Sequence, residues 1–180
     1  FALDISTGPV HLIAHSMGGA VALLLASAPG FQTASFVNVE GNLGSWDCGV
    51  SRKAASLSED MEFRLVTDEL RRMAARRREP GIEAWAGWSE RSSPAGFVRS
   101  ARSLVAWSDS GRLLPMFLAL GCPKVYVYGE KNRAMPVLQK LAGVRAVGIP
   151  GSGHFPMIDN PVAFYDAAAN FLAGSQGRAV

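Results

Sequence analysis

The sequence predicts an α/β protein built on a parallel β-sheet, and three features lead to this prediction. Short apolar runs typical of buried strands recur along the chain. Helical patterns lie between them at the spacing of right-handed crossover connections. The predicted strands are apolar on both faces, as expected where helices cover both sides of a sheet.

The first predicted strand, helix and second strand lie close together in the sequence. Residues 9–15, PVHLIAH, form the first apolar run, and residues 17–28 form an Ala- and Leu-rich helix that ends at Pro29 and Gly30. Residues 34–42, ASFVNVEGN, predict the second strand because they are β-branched and aromatic and stop at a Gly-Asn turn.

Two more strands and a helix are predicted near the other end of the chain. Val and Tyr alternate in residues 123–130, PKVYVYGE, which predict the third strand, and residues 144–151, VRAVGIPG, predict the fourth. Residues 160–173 predict the last helix, because Asn160 and Pro161 form a helix start and the apolar residues that follow share one face.

The long segment between the second and third strands, residues 45–120, lacks strand signals. Its apolar residues follow helical spacing at Phe63, Val66, Leu70 and Met73. A segment of this length inside a compact sheet is too long for a plain loop. We therefore expect a mobile helical cap over one end of the sheet, with some of its aromatic residues facing Ser16: Trp85, Trp88, Phe97 and Trp107.

A serine lies at the turn between the first strand and the first helix. A sharp strand-to-helix turn exposes a serine hydroxyl, and the first N–H groups of the helix can stabilise an oxyanion. Small residues two positions before and two after the serine relieve crowding in such a turn. Residues 14–19, AHSMGG, fit this pattern with an alanine at the first small position. Ser16 is thus a candidate nucleophile and the Met17 N–H a candidate oxyanion donor.

Two segments resemble the α/β-hydrolase family. Residues 11–26, HLIAHSMGGAVALLLA, resemble its nucleophile elbow, and residues 149–172, IPGSGHFPMIDNPVAFYDAAANFL, resemble its last strand, histidine loop and last helix. The resemblance implies that His154 is the base that serves Ser16. His15 and His11 are expected to have structural roles, because one flanks the nucleophile and the other lies in the strand.

The resemblance also implies a domain organisation. Residues 1–44 and 121–180 would form an α/β-hydrolase core with a partial parallel sheet, the last four strands of the family's fold, and residues 45–120 an inserted helical cap. The family's sheet has further strands before the elbow, so the resemblance implies the C-terminal portion of a longer hydrolase. Such a portion alone would expose the first strand as an apolar edge and lack one oxyanion donor, so we expect it to be poorly soluble and weakly active.

The acid that orients the histidine is open between several residues. The family usually has Gly-x-x-Asp after the third predicted strand, but residues 129–132 here are GEKN, which places Asn132 at the acid position. Some family members carry the acid after the preceding strand, where this chain has Glu40. Parallel strands end at one rim, so Glu40 is our first choice. Glu130 or Asn132 as the partner, or no triad acid, remain alternatives, and Asp47 is a weaker one.

Composition excludes several function classes. The chain is 48% hydrophobic and 18% charged with a net charge of +3, which does not favour nucleic-acid binding. The basic run at 69–79 predicts the solvated face of a helix. No apolar run is long enough to span a membrane. Cys48 and Cys122 have no metal-binding spacing and are predicted to be packing thiols. We expect the protein to need no metal or cofactor. We expect it to be cytoplasmic.

The sequence therefore predicts a serine hydrolase that cleaves an ester, thioester or amide in a small-molecule substrate. Ser16, His154 and Glu40 would form the triad, and an acyl-enzyme would be the intermediate. Two alternatives are cofactor-free peroxidase-like or C–C hydrolase chemistry on the same residues, and a non-catalytic binding protein on this scaffold. The sequence indicates no particular oligomeric state.

Overall fold

The structure, a computed structural model, describes residues 8–57 and 63–176. The parts of the predicted core and cap at 1–7, 58–62 and 177–180 lie outside the described residues. Four parallel strands form one sheet in the order β1-β2-β3-β4. Their bounds are Val10–His15, Thr33–Val39, Lys124–Gly129 and Arg145–Ile149. The predicted α/β fold with a parallel sheet is confirmed, and the predicted strand ends differ from the observed ones by at most three residues.

Eight helices lie in the described residues, together with short 3₁₀ turns at 45–47, 130–132 and 136–140. The helices are α1 Met17–Ala26, α2 Gly49–Ala55, α3 Phe63–Arg77, α4 Pro80–Glu90, α5 Pro94–Asp109, α6 Leu113–Ala119, α7 Pro156–Asp159 and α8 Pro161–Gln176. The predicted helix at 17–28 ends two residues early, because Ser27 caps α1 with its backbone N–H. The sequence does not predict the 3₁₀ turns or the single turn of α7.

Helices cover both faces of the sheet, which explains why the strands are apolar throughout. Phe36 and Tyr126 are fully buried on the face that α1 and α6 cover. Val37, Val127 and the α8 residue Phe164 are buried on the other face. Each such side chain contributes about 1.5–3 kcal/mol of burial free energy. This packing fixes the strand ends that carry the polar residues described below.

One edge of the sheet is exposed. Within the described residues β1 pairs with β2 and with no other strand. Ile13, in the middle of β1, is 49% exposed, and Val21 on α1 is 62% exposed. Apolar side chains therefore line the outer side of the strand that carries Ser16.

The helical segment between β2 and β3 packs in two different ways. The helices α2 to α5 share a cluster of their own around Val66, Leu70 and Ala101. In contrast, Phe117 of α6 packs edge-on against Phe36 of β2, so α6 belongs with the sheet. We use the name "helical insertion" for α2 to α5. The division of the chain at residues 44 and 120 stays a prediction.

The surface of the helical insertion carries the basic run noted in the sequence. Arginines of α3 form exposed ion pairs with nearby carboxylates: Arg71 with Asp68 and Glu90, and Arg72 and Arg76 with Glu69. Exposed pairs of this kind contribute little to stability, because solvent screens the charges. Cys48 and Cys122 are free thiols. None of the helices in the described ranges is long and apolar enough to cross a bilayer.

Candidate active site

Ser16 forms the sharp turn between β1 and α1. Its backbone has φ 53° and ψ −126°, a left-handed conformation that costs a non-glycine residue about 1–3 kcal/mol. Backbone hydrogen bonds hold the turn: the Ser16 N–H donates to the Val39 carbonyl at 3.0 Å, and the Ser16 carbonyl accepts from Gly19 N–H at 2.9 Å. The strained turn directs the Ser16 hydroxyl into a pocket rather than into the sheet.

The crowded glycines around this turn are Gly19 and Gly41, whereas the elbow pattern indicates Gly18. A Cβ at Gly19 would meet the Gly41 backbone, and a Cβ at Gly41 would meet the Asn38 side chain. A Cβ at Gly18 would meet nothing within 4 Å in the described part of the chain. The expectation that the second small position is crowded is therefore wrong for Gly18. The crowding arises where α1 crosses the loop after β2.

His154 links the serine to a carboxylate. Its Nε2 lies 3.1 Å from Ser16 Oγ, and its Nδ1 lies 2.7 Å from Glu40 Oε2. An Nδ1–H that donates to the carboxylate leaves Nε2 free to accept the serine proton. The structure brings the three residues chosen from the sequence into one hydrogen-bonded chain.

Glu40 directly follows β2 and is 3% exposed. Its Oε1 accepts hydrogen bonds from the Gly129 N–H at 2.8 Å and from Asn132 Nδ2 at 2.9 Å, and Asn132 Nδ2 lies 3.0 Å from Oε2. A buried carboxylate is stable only with such donors. Asn132, at the family's usual acid position, is thus a donor to the carboxylate, while Glu130 is exposed beside it.

His15 supports the loop that carries His154. Its Nε2–H donates to the His154 carbonyl at 2.7 Å, and the two rings lie 4.7 Å apart. Burial, with a smaller contribution from His154, lowers the pKa of His15 to about 4, so its ring is neutral at pH 7. His11 lies elsewhere, where its Nδ1 is 2.7 Å from Ser35 Oγ. Both histidines have the structural contacts expected of them.

Asp47 lines the same pocket but does not contact His154 through a hydrogen bond in the described residues. Its Oδ2 accepts from the backbone N–H groups of Leu43 at 2.8 Å and Gly44 at 3.1 Å. Burial raises the pKa of Asp47 to about 6, and these two hydrogen bonds only partly oppose that shift. Its contacts make Asp47 a cap for the 3₁₀ turn that opens the helical insertion.

The pocket next to Ser16 has a volume of about 500 Å³. Its apolar wall comes mainly from the helical insertion and includes Trp46, Ile82 and Trp85. Charged side chains also line it: Asp47, Lys53, Glu69 and Arg77. In the described residues no group of His, Cys, Asp and Glu is arranged to hold a metal ion.

Of the four aromatic residues expected to face Ser16, Trp85 alone lines this pocket. Phe97 instead packs on Phe63, Trp107 packs among the residues under α1 and α6, and Trp88 is 46% exposed. Helical spacing identifies a buried face but not the element that the face meets. The sequence does not predict that Trp46 lines the pocket, because Trp46 lies in a 3₁₀ turn, where no periodic pattern identifies the residues that face inward.

A sequence profile for the alpha/beta hydrolase family matches residues 1–167. The chain belongs to the alpha/beta hydrolase family. Membership supports a hydrolase enzyme, and a small-molecule substrate fits such an enzyme. No curated protein sequence matches the chain.

Solved structures of other alpha/beta hydrolases are similar in fold. A thermophilic esterase from Thermogutta terrifontis superposes with a TM-score of 0.71 at 22% identity, over 97% of this chain and 68% of its own. MenH from S. aureus gives 0.73 at 16% identity, over 93% and 69%. A carboxylesterase from Nitrososphaera gargenis gives 0.70 at 17% identity, over 99% and 69%. At these identities the likeness is one of fold.

Proposed function

We propose that this alpha/beta hydrolase cleaves a carboxylic ester, or a related thioester or amide, through an acyl-enzyme on Ser16. The observation that carries the proposal is the hydrogen-bonded chain from Ser16 through His154 to Glu40. Two of the similar structures are described as esterases, which favours an ester among these substrates.

In the first step Ser16 Oγ attacks the carbonyl carbon of the substrate. The hydroxyl proton passes to His154 Nε2, which lies 3.1 Å away. Glu40 holds the opposite side of the ring and stabilises the imidazolium that forms, an effect of about 10⁴ in turnover in enzymes of this type. The oxyanion lies at the N-terminus of α1, where the Met17 N–H is the donor we assign.

In the second half of the reaction the tetrahedral intermediate collapses. The C–O bond to the leaving group breaks, and His154 returns its proton from Nε2 to the departing oxygen. Water then attacks the acyl-Ser16 ester with His154 again as the base. The proton returns to Ser16 Oγ, so the acid product leaves and the enzyme is unchanged.

We further propose that the helical insertion is a cap that binds the substrate. Trp46, Ile82 and Trp85 line the pocket beside Ser16 and His154, so an apolar acyl or alcohol group would be bound there. The Trp85 ring lies 6.1 Å from the His154 ring, so a group bound against Trp85 would lie beside the base.

Active-site labelling tests the proposal. A fluorophosphonate reagent should label the wild-type protein at Ser16, and the protein should hydrolyse 4-nitrophenyl butyrate. Ser16→Ala should abolish both, and Ser27→Ala, a change in the exposed cap of α1, should affect neither. A folded wild-type protein that is neither labelled nor active would favour the non-catalytic binding function instead.

A further inference from the structure

One carboxylate links the histidine loop to the helical insertion. Asp159, at the end of α7, accepts the Gly153 N–H with Oδ2 at 2.8 Å and the Gly81 N–H with Oδ1 at 2.8 Å. Gly153 immediately precedes His154, and Gly81 lies in the first turn of α4. Each carboxylate oxygen is thus committed to a different part of the site. The negative charge also lies at the N-terminus of α4, where the helix dipole favours it.

Gly81 and Gly153, the two residues that donate to Asp159, each lie close against a neighbouring side chain. A Cβ at Gly81 would meet the Phe155 side chain, and a Cβ at Gly153 would meet the carboxylate of Glu79. Glu79 is 6% exposed and pairs with Lys131 at 3.6 Å. The first turn of α4 is therefore packed directly against the two neighbours of His154.

Aromatic side chains extend this contact to the pocket. The Phe155 ring lies 5.6 Å from Trp85 of α4 and 5.0 Å from His154. The α4 residues Ile82 and Trp85 line the pocket next to Ser16. A shift of α4 would therefore move one pocket wall and the histidine loop together. This arrangement does not fit a cap that moves independently of the histidine.

We infer that Asp159 is a positioning residue for His154, which it holds in register with the α4 wall of the substrate pocket. The inference rests on the proposed function, because it assigns Asp159 an effect on the base of that reaction. Asp159 does not touch Ser16 or Glu40 by any hydrogen bond in the described residues, so its effect passes through the Gly153 backbone.

The change Asp159→Asn separates this role from simple packing. Asn has the same shape, but its amide nitrogen replaces one acceptor, so one of the two N–H groups loses its partner. A displacement of about 1 Å in a catalytic group can cost about 100-fold in rate. His154 must donate a proton to an alkoxide leaving group, whereas nitrophenolate leaves without one. A misplaced His154 should therefore slow a methyl ester more than a nitrophenyl ester.

The experiment compares kcat/KM for methyl butyrate and 4-nitrophenyl butyrate in the wild type, Asp159→Asn and a matched control. The control is Asp166→Asn, the same change at an exposed position on α8. We expect Asp159→Asn to lower kcat/KM by about 100-fold for the methyl ester and by only about tenfold for the nitrophenyl ester. Asp166→Asn should leave both values within about twofold. Equal losses for the two esters, or no loss, would overturn the positioning role.

A second measurement does not depend on activity. Hydrogen exchange at the amide that loses its acceptor, Gly81 or Gly153, should be at least about tenfold faster in Asp159→Asn than in the wild type, with the amides of α8 unchanged. Unchanged exchange at both amides would also overturn the inference. A wild-type protein that lacks hydrolase activity but shows this exchange difference would count against the proposed function while supporting the link through Asp159.

Discussion

The ends of β2 and β3 hold two side chains that could each have partnered His154. Glu40 follows β2 and Asn132 follows β3, and they are joined by hydrogen bonds of 2.9 and 3.0 Å. Glu40 lies against His154 Nδ1, whereas Asn132 directs its amide nitrogen to Glu40. The carboxylate thus follows β2 and the amide follows β3, whereas the Gly-x-x-Asp pattern implies a carboxylate after β3. The charge of Glu40 after β2 is stabilised by a hydrogen-bond donor, Asn132, after β3.

The environment of Glu40 explains why the charge is placed there. Its carboxylate is buried and accepts hydrogen bonds from Gly129 N–H, Asn132 and His154. Desolvation of a carboxylate costs several kcal/mol, and these three donors offset the cost. Glu130, one position after Gly129, is exposed and lacks this set of contacts. A carboxylate at position 132 in addition to Glu40 would bring two like charges together, because the Asn132 Nδ2 lies 2.9 and 3.0 Å from the Glu40 oxygens.

Replacing the acid should give the largest effect. Glu40→Gln keeps the shape but removes the charge that stabilises the imidazolium, so kcat for 4-nitrophenyl butyrate should fall by about 10³–10⁴-fold. Glu130→Gln, a matched change at the exposed carboxyl two residues from Asn132, should change kcat by less than about twofold. If Glu130→Gln gave the large loss and Glu40→Gln did not, the acid would be Glu130 in the turn after β3.

Moving the acid between the strand ends sharpens the comparison. In the double variant Glu40→Gln, Asn132→Asp, the carboxylate is at the end of β3 and the amide at the end of β2. This variant should recover at least about tenfold of the activity that Glu40→Gln loses. The single variant Asn132→Asp should be less stable than the wild type, because two carboxylates would share one buried site. A double variant no more active than Glu40→Gln would mean that position 132 cannot reach His154.

Some of this arrangement could be predicted from the sequence, and some could not. The order of strands and helices follows from apolar runs and helical spacing, and the shared rim of parallel strands brought Glu40 together with Ser16 and His154. The direction of each side chain at the rim depends on the loops. The φ of 42° at Glu40 and the 3₁₀ turn at 130–132 have no periodic signal, so Asn132 as a donor to Glu40 was not foreseen. The same limit applies to Asp159, whose partners are backbone groups distant in sequence.

Removing the donor from the end of β3 should have a smaller effect than removing the acid. Asn132→Ala leaves Glu40 with Gly129 N–H and His154 as donors, so the carboxylate stays charged and less well held. We expect kcat to fall by about tenfold and the free energy of unfolding to fall by about 1–3 kcal/mol. Chemical denaturation and steady-state kinetics measure both. Asn132→Ser, which restores a hydroxyl donor, should recover part of each loss. A loss as large as that of Glu40→Gln would instead make Asn132 a direct partner of His154.

The smallest effect should come from His15, which supports His154 from β1. Its pKa is lowered from 6.5 to about 4 in the folded protein, so the unfolded chain binds more protons as the pH falls. The stability due to neutral His15 is complete above about pH 6.5 and is lost as the pH falls to about 4. His15→Gln keeps an N–H donor but does not titrate. The wild type should therefore lose about 1–3 kcal/mol of unfolding free energy relative to His15→Gln between pH 7 and pH 4.

Denaturant unfolding at a series of pH values gives this difference, and the Asp47 titration cancels from it because both proteins contain Asp47. A wild-type curve parallel to that of His15→Gln would mean that the pKa of His15 is the same in the folded and unfolded states, and that burial does not lower it.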